Sequence, residues 1–228
     1  AQGLTAEGLQ IAQFYTQPLC PPTRAAFMTG RWPARLGLQH GVITGFTDNG
    51  LPLEEVTLAS RLKAQGYATY ATGKWHLGTE PHQSPIARGF DRFYGTRNFI
   101  DSYFTVLRNC QVYLDDKEVL PATETPVNHL HPDREWYTTD VFTDYALHFM
   151  EESFEKHPEK PLFLYVAHNA PHFPLHAREE DTKKYWGRFK DVGWDKLRQD
   201  RYERMVKMGL IDKKWALSPL DVPKWETY

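Results

Sequence analysis

At 228 residues the chain can bury a substantial core, and with 41% hydrophobic and 25% charged residues its composition is globular. A formal net charge of −2 and the lack of any basic run argue against a protein built to neutralise a nucleic-acid backbone. The longest apolar stretch, 161–167, is far too short to span a membrane, and two cysteines, Cys20 and Cys110, do not make a disulfide framework.

Residues 5–11 read as the end of an amphipathic helix, with Leu9 and Ile11 leading into Phe14 and Tyr15. Because no first strand precedes them and 219–228 has no closing element, the chain is expected to be part of a longer one. At Cys20-Pro21-Pro22, proline fixes its own φ and pushes the preceding residue out of the α region, so Cys20 and Pro21 are expected to be extended. Pro22 suits a first helical turn, and 23–29 should be helix, closed by Gly30. A loop follows over 32–52, with Asp48-Asn49-Gly50 as a turn. Next come a short helix at 57–65, capped by Gly66, and a strand at 67–72 broken at Gly73. Helix, glycine and strand in so few residues make an α/β unit, with the strand central in a parallel sheet.

Residues 84–101 read as an aromatic loop, and 111–120 as a hairpin about Asp115-Asp116. A helix is expected at 139–152, with Phe142, Tyr145, Ala146 and Phe149 on one face. Residues 162–167 are almost wholly apolar, as in a buried parallel strand. From 179 the chain turns charged and helical. Its Trp186, Trp194, Trp215 and Trp225 either pack or line a sugar cleft.

Chemistry-bearing residues stand at element ends. Cys20 lies at a helix N-terminus, where backbone N–H groups favour an anion, and Arg24 adds positive charge one turn on. Lys74-Trp75-His76-Leu77-Gly78 follows one strand, and His168-Asn169-Ala170-Pro171-His172-Phe173-Pro174 follows another. Open α/β sheets build their sites at such strand ends. The run Cys20-Pro21-Pro22-Thr23-Arg24 into Thr29-Gly30-Arg31, then Gly73 to Gly78, Gly89-Phe90-Asp91-Arg92-Phe93-Tyr94-Gly95 and Ala170 to Pro174, together resemble the type I sulfatases over about 7–174.

This resemblance implies an alkaline-phosphatase-like α/β fold: a mostly parallel central sheet with flanking helices, incomplete in this chain and exposing a sheet edge. Residues 1–178 would be part of the catalytic domain, and 179–228 a charged peripheral insertion of it. The implied activity is sulfuric-ester hydrolysis of the arylsulfatase kind, with Cys20 oxidised to formylglycine by a maturation enzyme and its hydrate as nucleophile. Arg24 would hold the hydrate, Lys74 a sulfate oxygen and the hydrate, while His76 serves as base and His172 contacts the ester oxygen as proton donor. Thr23 belongs to the modification motif.

The same resemblance implies Ca²⁺, with Mg²⁺ as the alternative, bound in part by Cys20 as formylglycine. The family's other ligands, an Asp pair before the cysteine motif and a later Asp-Asn pair, have no counterpart in this stretch, nor does a later active-site Lys. Weak calcium binding and little turnover are therefore expected of the stretch alone. Asp48-Asn49-Gly50 and Asp115-Asp116 read as turns rather than as these pairs. Asn98, Asp101 and Ser102 lie where the family can place a substrate-contacting group, and His168 reads as a core or supporting histidine. The implied partners are a sulfated small molecule or glycan and the maturation enzyme, in the periplasm, outside the cell or in the lysosome. Two alternatives stay open: a phosphonate monoester or phosphodiester hydrolase of the same superfamily, and a non-catalytic glycan-binding remnant.

Overall fold

Five strands among the described residues form one mixed sheet in the order β4-β3-β2-β1-β5: β1 Ala68–Lys74, β2 Arg92–Thr96, β3 Val112–Leu114, β4 Lys117–Leu120 and β5 Leu162–Ala167. The computed structural model describes residues 7–9, 11, 13–43, 49–98, 101–106, 110–120, 126–223 and 225. Two units are distinguished, Thr16–His176, which holds the sheet, and Ala1–Tyr15 with Ala177–Tyr228. The second contains α4 (Glu179–Phe189) and α5 (Gly193–Lys207). Among the described residues no helix is long and apolar enough to cross a membrane.

Strand β1 is central, as its sequence suggests, with parallel neighbours on both sides. Pairing runs from Tyr70↔Arg92 to Lys74↔Thr96 on one side and from Ala68↔Leu162 to Gly73↔Ala167 on the other. Beyond β2 the sheet turns antiparallel through the hairpin about Asp115 and Asp116. Its two faces bury separate cores. Helix α3 (Thr138–Lys156) lays Phe142, Tyr145 and Phe149 with Tyr70 and Tyr94 on one face. Helices α1 (Cys20–Thr29) and α2 (Leu58–Ala64) contribute Ala25, Met28 and Ala59 to the other, with Trp75, Phe90 and Phe93. Each large apolar side chain buried this way contributes about 1.5–3 kcal/mol.

Four expectations are corrected. Helix α1 begins at Cys20 itself, and the extended residue is Leu19 (φ −129°, ψ 158°). The first helical turn has no intrahelical N–H partners to lose, so both prolines fit within it. Strand β1 runs through Gly73 to Lys74 instead of breaking there. A Cβ on Gly73 would stand 2.1 Å from the Ala167 carbonyl oxygen, so the glycine admits a close neighbour. The aromatic segment 92–96 is strand, not loop, because Phe93 and Tyr94 feed opposite cores. Apolar β5 is parallel but pairs only with β1 among the described residues, and it is mostly half-buried, with Val166 exposed. Residues 5, 6 and 10 of the helix end expected at 5–11 lie outside the described residues, as does Asp48 of the expected turn.

Candidate active site

Three of the five proposed site residues meet directly. Helix α1 presents Cys20 and, one turn later, Arg24; β1 ends at Lys74. Lys74 Nζ donates to Cys20 Sγ at 3.5 Å, and Arg24 Nη1 donates to the Lys74 carbonyl and to Tyr165 Oη at 3.1 Å. Lys74 is only 2% exposed, and burial pushes its pKa down, opposed by the Cys20 thiol and reinforced by the Arg24 charge. Helix α1 has no acidic residue in its first turn, so its end keeps its positive character. Beside Cys20 a cavity of about 490 Å³ is lined by Gln17, Leu19, Thr23, Arg24, Phe27 and Tyr165. Thr23 ties the segment before the cysteine to the helix: its Oγ1 donates to the Gln17 carbonyl at 2.9 Å and accepts from the Gln17 N–H at 3.1 Å.

His76 stands two residues beyond Lys74 with φ 58°, a region few non-glycine residues occupy. Its backbone N–H extends the β1–β2 pairing to the Arg97 carbonyl (3.1 Å). Nε2 lies 2.9 Å from the Ile43 carbonyl, and since that oxygen only accepts, Nε2 carries the proton. Burial first, then the Lys74 charge, brings its pKa down to about 3, with Arg24 and His172 adding to the shift. Trp75, between the two, is buried and donates Nε1–H to the Gln83 carbonyl at 2.8 Å.

Among the described residues His172 shares no hydrogen bond with Cys20, Arg24 or Lys74. It is exposed on the loop after β5, and its Nδ1 lies 2.5 Å from the Phe173 carbonyl. Its backbone is fixed by His172 N–H to Asn169 O and by Tyr103 Oη–H to His172 O, both 2.8 Å. His168 has its pKa lowered by burial. Of the three polar candidates after β2, Asn98 and Ser102 are buried; Asp101 is exposed and accepts from the Cys110 thiol at 3.8 Å. Burial pushes Cys110 up to about 11. Sequence reasoning missed Tyr165, which holds Arg24, and Tyr103, which holds the His172 loop. A hydroxyl within an otherwise apolar strand was the one available signal for Tyr165.

A calcium ion needs six to eight oxygen ligands. Among the described residues no group of three or more His, Cys, Asp or Glu could hold a metal, and Cys20 is bordered by the Lys74 ammonium and the Arg24 guanidinium. These residues do not fit a resident dication.

A thiol, a buried ammonium and a guanidinium converging on a strand end and a helix N-terminus define an anion-handling site on an α/β scaffold. The Sulfatase family profile matches residues 1–213, and the chain belongs to that family. It is 36% identical over 175 residues to mouse arylsulfatase J, covering 76% of this chain and 28% of that protein. With bovine arylsulfatase A it shares 36% identity over 183 residues, 75% of this chain and 36% of the relative. Among solved structures, Ps i-CgsB in complex with k-i-k-neocarrahexaose superposes with a TM-score of 0.63 at 32% identity, over 74% of this chain and 38% of that one. The chain thus spans about a third of the length of these relatives.

Proposed function

We propose that the full-length protein hydrolyses sulfate esters, with Cys20 oxidised to formylglycine and with Arg24, Lys74, His76 and His172 as its working side chains. The observation that carries this reading is the 3.5 Å approach of Lys74 Nζ to Cys20 Sγ beside Arg24. Once formed and hydrated, the aldehyde supplies one hydroxyl to attack sulfur and a second whose deprotonation frees sulfate, which a serine could not do.

The remaining work falls to this chain's own groups. Lys74, shielded from water, holds a sulfate oxygen and the negative charge that develops on it. Arg24, fixed by Lys74 O and Tyr165 Oη, adds a second positive charge and orients the nucleophile. His76, kept neutral by burial, enters the cycle able to accept a proton. His172 has Nδ1 engaged with Phe173 O, which leaves Nε2 as the nitrogen to donate a proton to the leaving oxygen.

The substrate class is a sulfated aryl compound or saccharide. Relatives named arylsulfatase and a solved relative complexed with a hexaose support that choice. Peptide mass spectrometry across Cys20, on full-length protein from a host with the maturation machinery, should show the aldehyde. Sulfate release from 4-nitrophenyl sulfate should vanish in Cys20→Ala without loss of fold. An unmodified thiol in protein from that host, or full activity of Cys20→Ala, removes Cys20 from the mechanism. A phenylphosphonate ester turned over far faster than the sulfate ester replaces the reading with a phosphonate hydrolase.

A further inference from the structure

The loop after β5 forms an arch with both feet on one buried residue. Tyr103, 1% exposed, donates its hydroxyl to the His172 carbonyl at 2.8 Å, and its backbone N–H donates to His176 Nδ1 at 3.3 Å. The His176 ring packs edge-on against Tyr103, centroids 5.8 Å apart, and lies 5.9 Å from Phe104. Tyr103 is itself held, because its carbonyl accepts from the Thr138 N–H at the start of α3 (2.9 Å). Inside the arch, the His176 N–H donates to the Pro174 carbonyl at 2.8 Å. Between these anchors Phe173 is 78% exposed and Leu175 77% exposed.

An exposed phenylalanine on a fraying segment needs no explanation. Here the backbone on either side of Phe173 is fixed, and the residue before it is His172, the proposed proton donor. The Phe173 carbonyl is also the group that binds His172 Nδ1. The ring and the imidazole therefore share one local frame, and whatever His172 Nε2 protonates must lie close to the arch.

We propose that Phe173 is a specificity-determining residue: the platform against which the ring of the leaving group, an aryl or a pyranose face, packs while its ester oxygen meets His172. This rests on the sulfate-ester reading above and narrows the substrate to esters whose leaving group has an apolar ring face. Ring against ring gives a contact present in both ground and transition states, so its loss appears in KM and not in kcat.

The test uses the full-length protein with aldehyde at position 20 and 4-nitrophenyl sulfate as substrate. Phe173→Ala should raise KM about three- to tenfold with kcat within twofold, and Phe173→Trp should restore the parent KM. Inhibition by inorganic sulfate, which has no ring, should not change in either variant. A KM for Phe173→Ala within twofold of the parent overturns the platform, and so does an equal weakening of sulfate inhibition, which would mean a general disturbance of the site. Parent protein that carries the aldehyde and releases no sulfate from any ester overturns the underlying reading as well, so the two failures are distinguishable.

Discussion

Arg24 depends on a side chain 141 residues away in sequence, since its Nη1 donates both to the Lys74 carbonyl and to Tyr165 Oη. The Tyr165 ring is held independently, stacked on Phe27 at 5.7 Å and near Phe90 at 6.4 Å. Hydroxyl and ring can therefore be separated by experiment. Tyr165→Phe keeps the stack and removes one acceptor from a charged donor, an interaction worth about 1.5–3 kcal/mol. We expect kcat/KM for a sulfate ester to fall about tenfold and inhibition by inorganic sulfate to weaken, with the melting temperature within about 2 °C of the parent. If Tyr165→Phe melts lower and binds sulfate unchanged, Tyr165 is a packing residue and not a positioning one.

At the scale of the element, the emergence of Lys74 into the site depends on two glycines facing each other across strands. Gly73 has φ +98°, and Gly95, its partner in β2, has φ +156°; a Cβ on Gly95 would meet the Gly73 carbonyl oxygen at 1.9 Å. With a Cβ on Gly73 placed 2.1 Å from Ala167 O on the other side, the three strands come together where only hydrogen fits. Gly73→Ala should cost about 3 kcal/mol or more, read as a lowered urea midpoint, and should reduce turnover by displacing Lys74. An alanine variant of parental stability would mean that the strands have room to move apart.

The same residues show why some of the protein was legible in its sequence and some was not. Lys74 and His76 could be read as strand-end groups because helix, Gly66 and strand are consecutive. Gly73 reads in sequence as a strand breaker, because local rules register the cost of a glycine and not the carbonyl it lets approach. Strand β2 was hidden between Gly89 and Gly95, since its aromatics serve two cores and give no single-face alternation. The supports of the site, Tyr165 for Arg24 and Tyr103 for His172, lie 141 and 69 residues from their partners. No local pattern carries such contacts.

For the whole molecule, the buried site should set the acid limit of stability. As pH falls through 6.5 an unfolded chain takes up a proton at His76, whereas the folded protein does so only near 3. The unfolded state thus binds more protons over that interval, and each unit of acidification favours it by at most about 1.4 kcal/mol for this one group. His168, lowered by burial, acts in the same sense. The carboxylates enter later. Burial works against the charged forms of Asp91 and Glu152, but Lys63 and Thr69 on one and Arg92 on the other hold both pKa values below the ordinary 3.8 and 4.5. Their stabilisation is fully present above those values and is lost as pH falls through the folded ones. The urea midpoint should therefore begin to fall below about pH 6.5 and steepen below about pH 4.5. His76→Gln should flatten the upper part of this curve, leaving only the His168 share, and keep the lower part. A His76→Gln protein that still follows the parental slope between pH 6.5 and 4.5 would show that His76 is not kept neutral by its burial, and with it the proton-accepting role proposed for that imidazole would lose its physical basis.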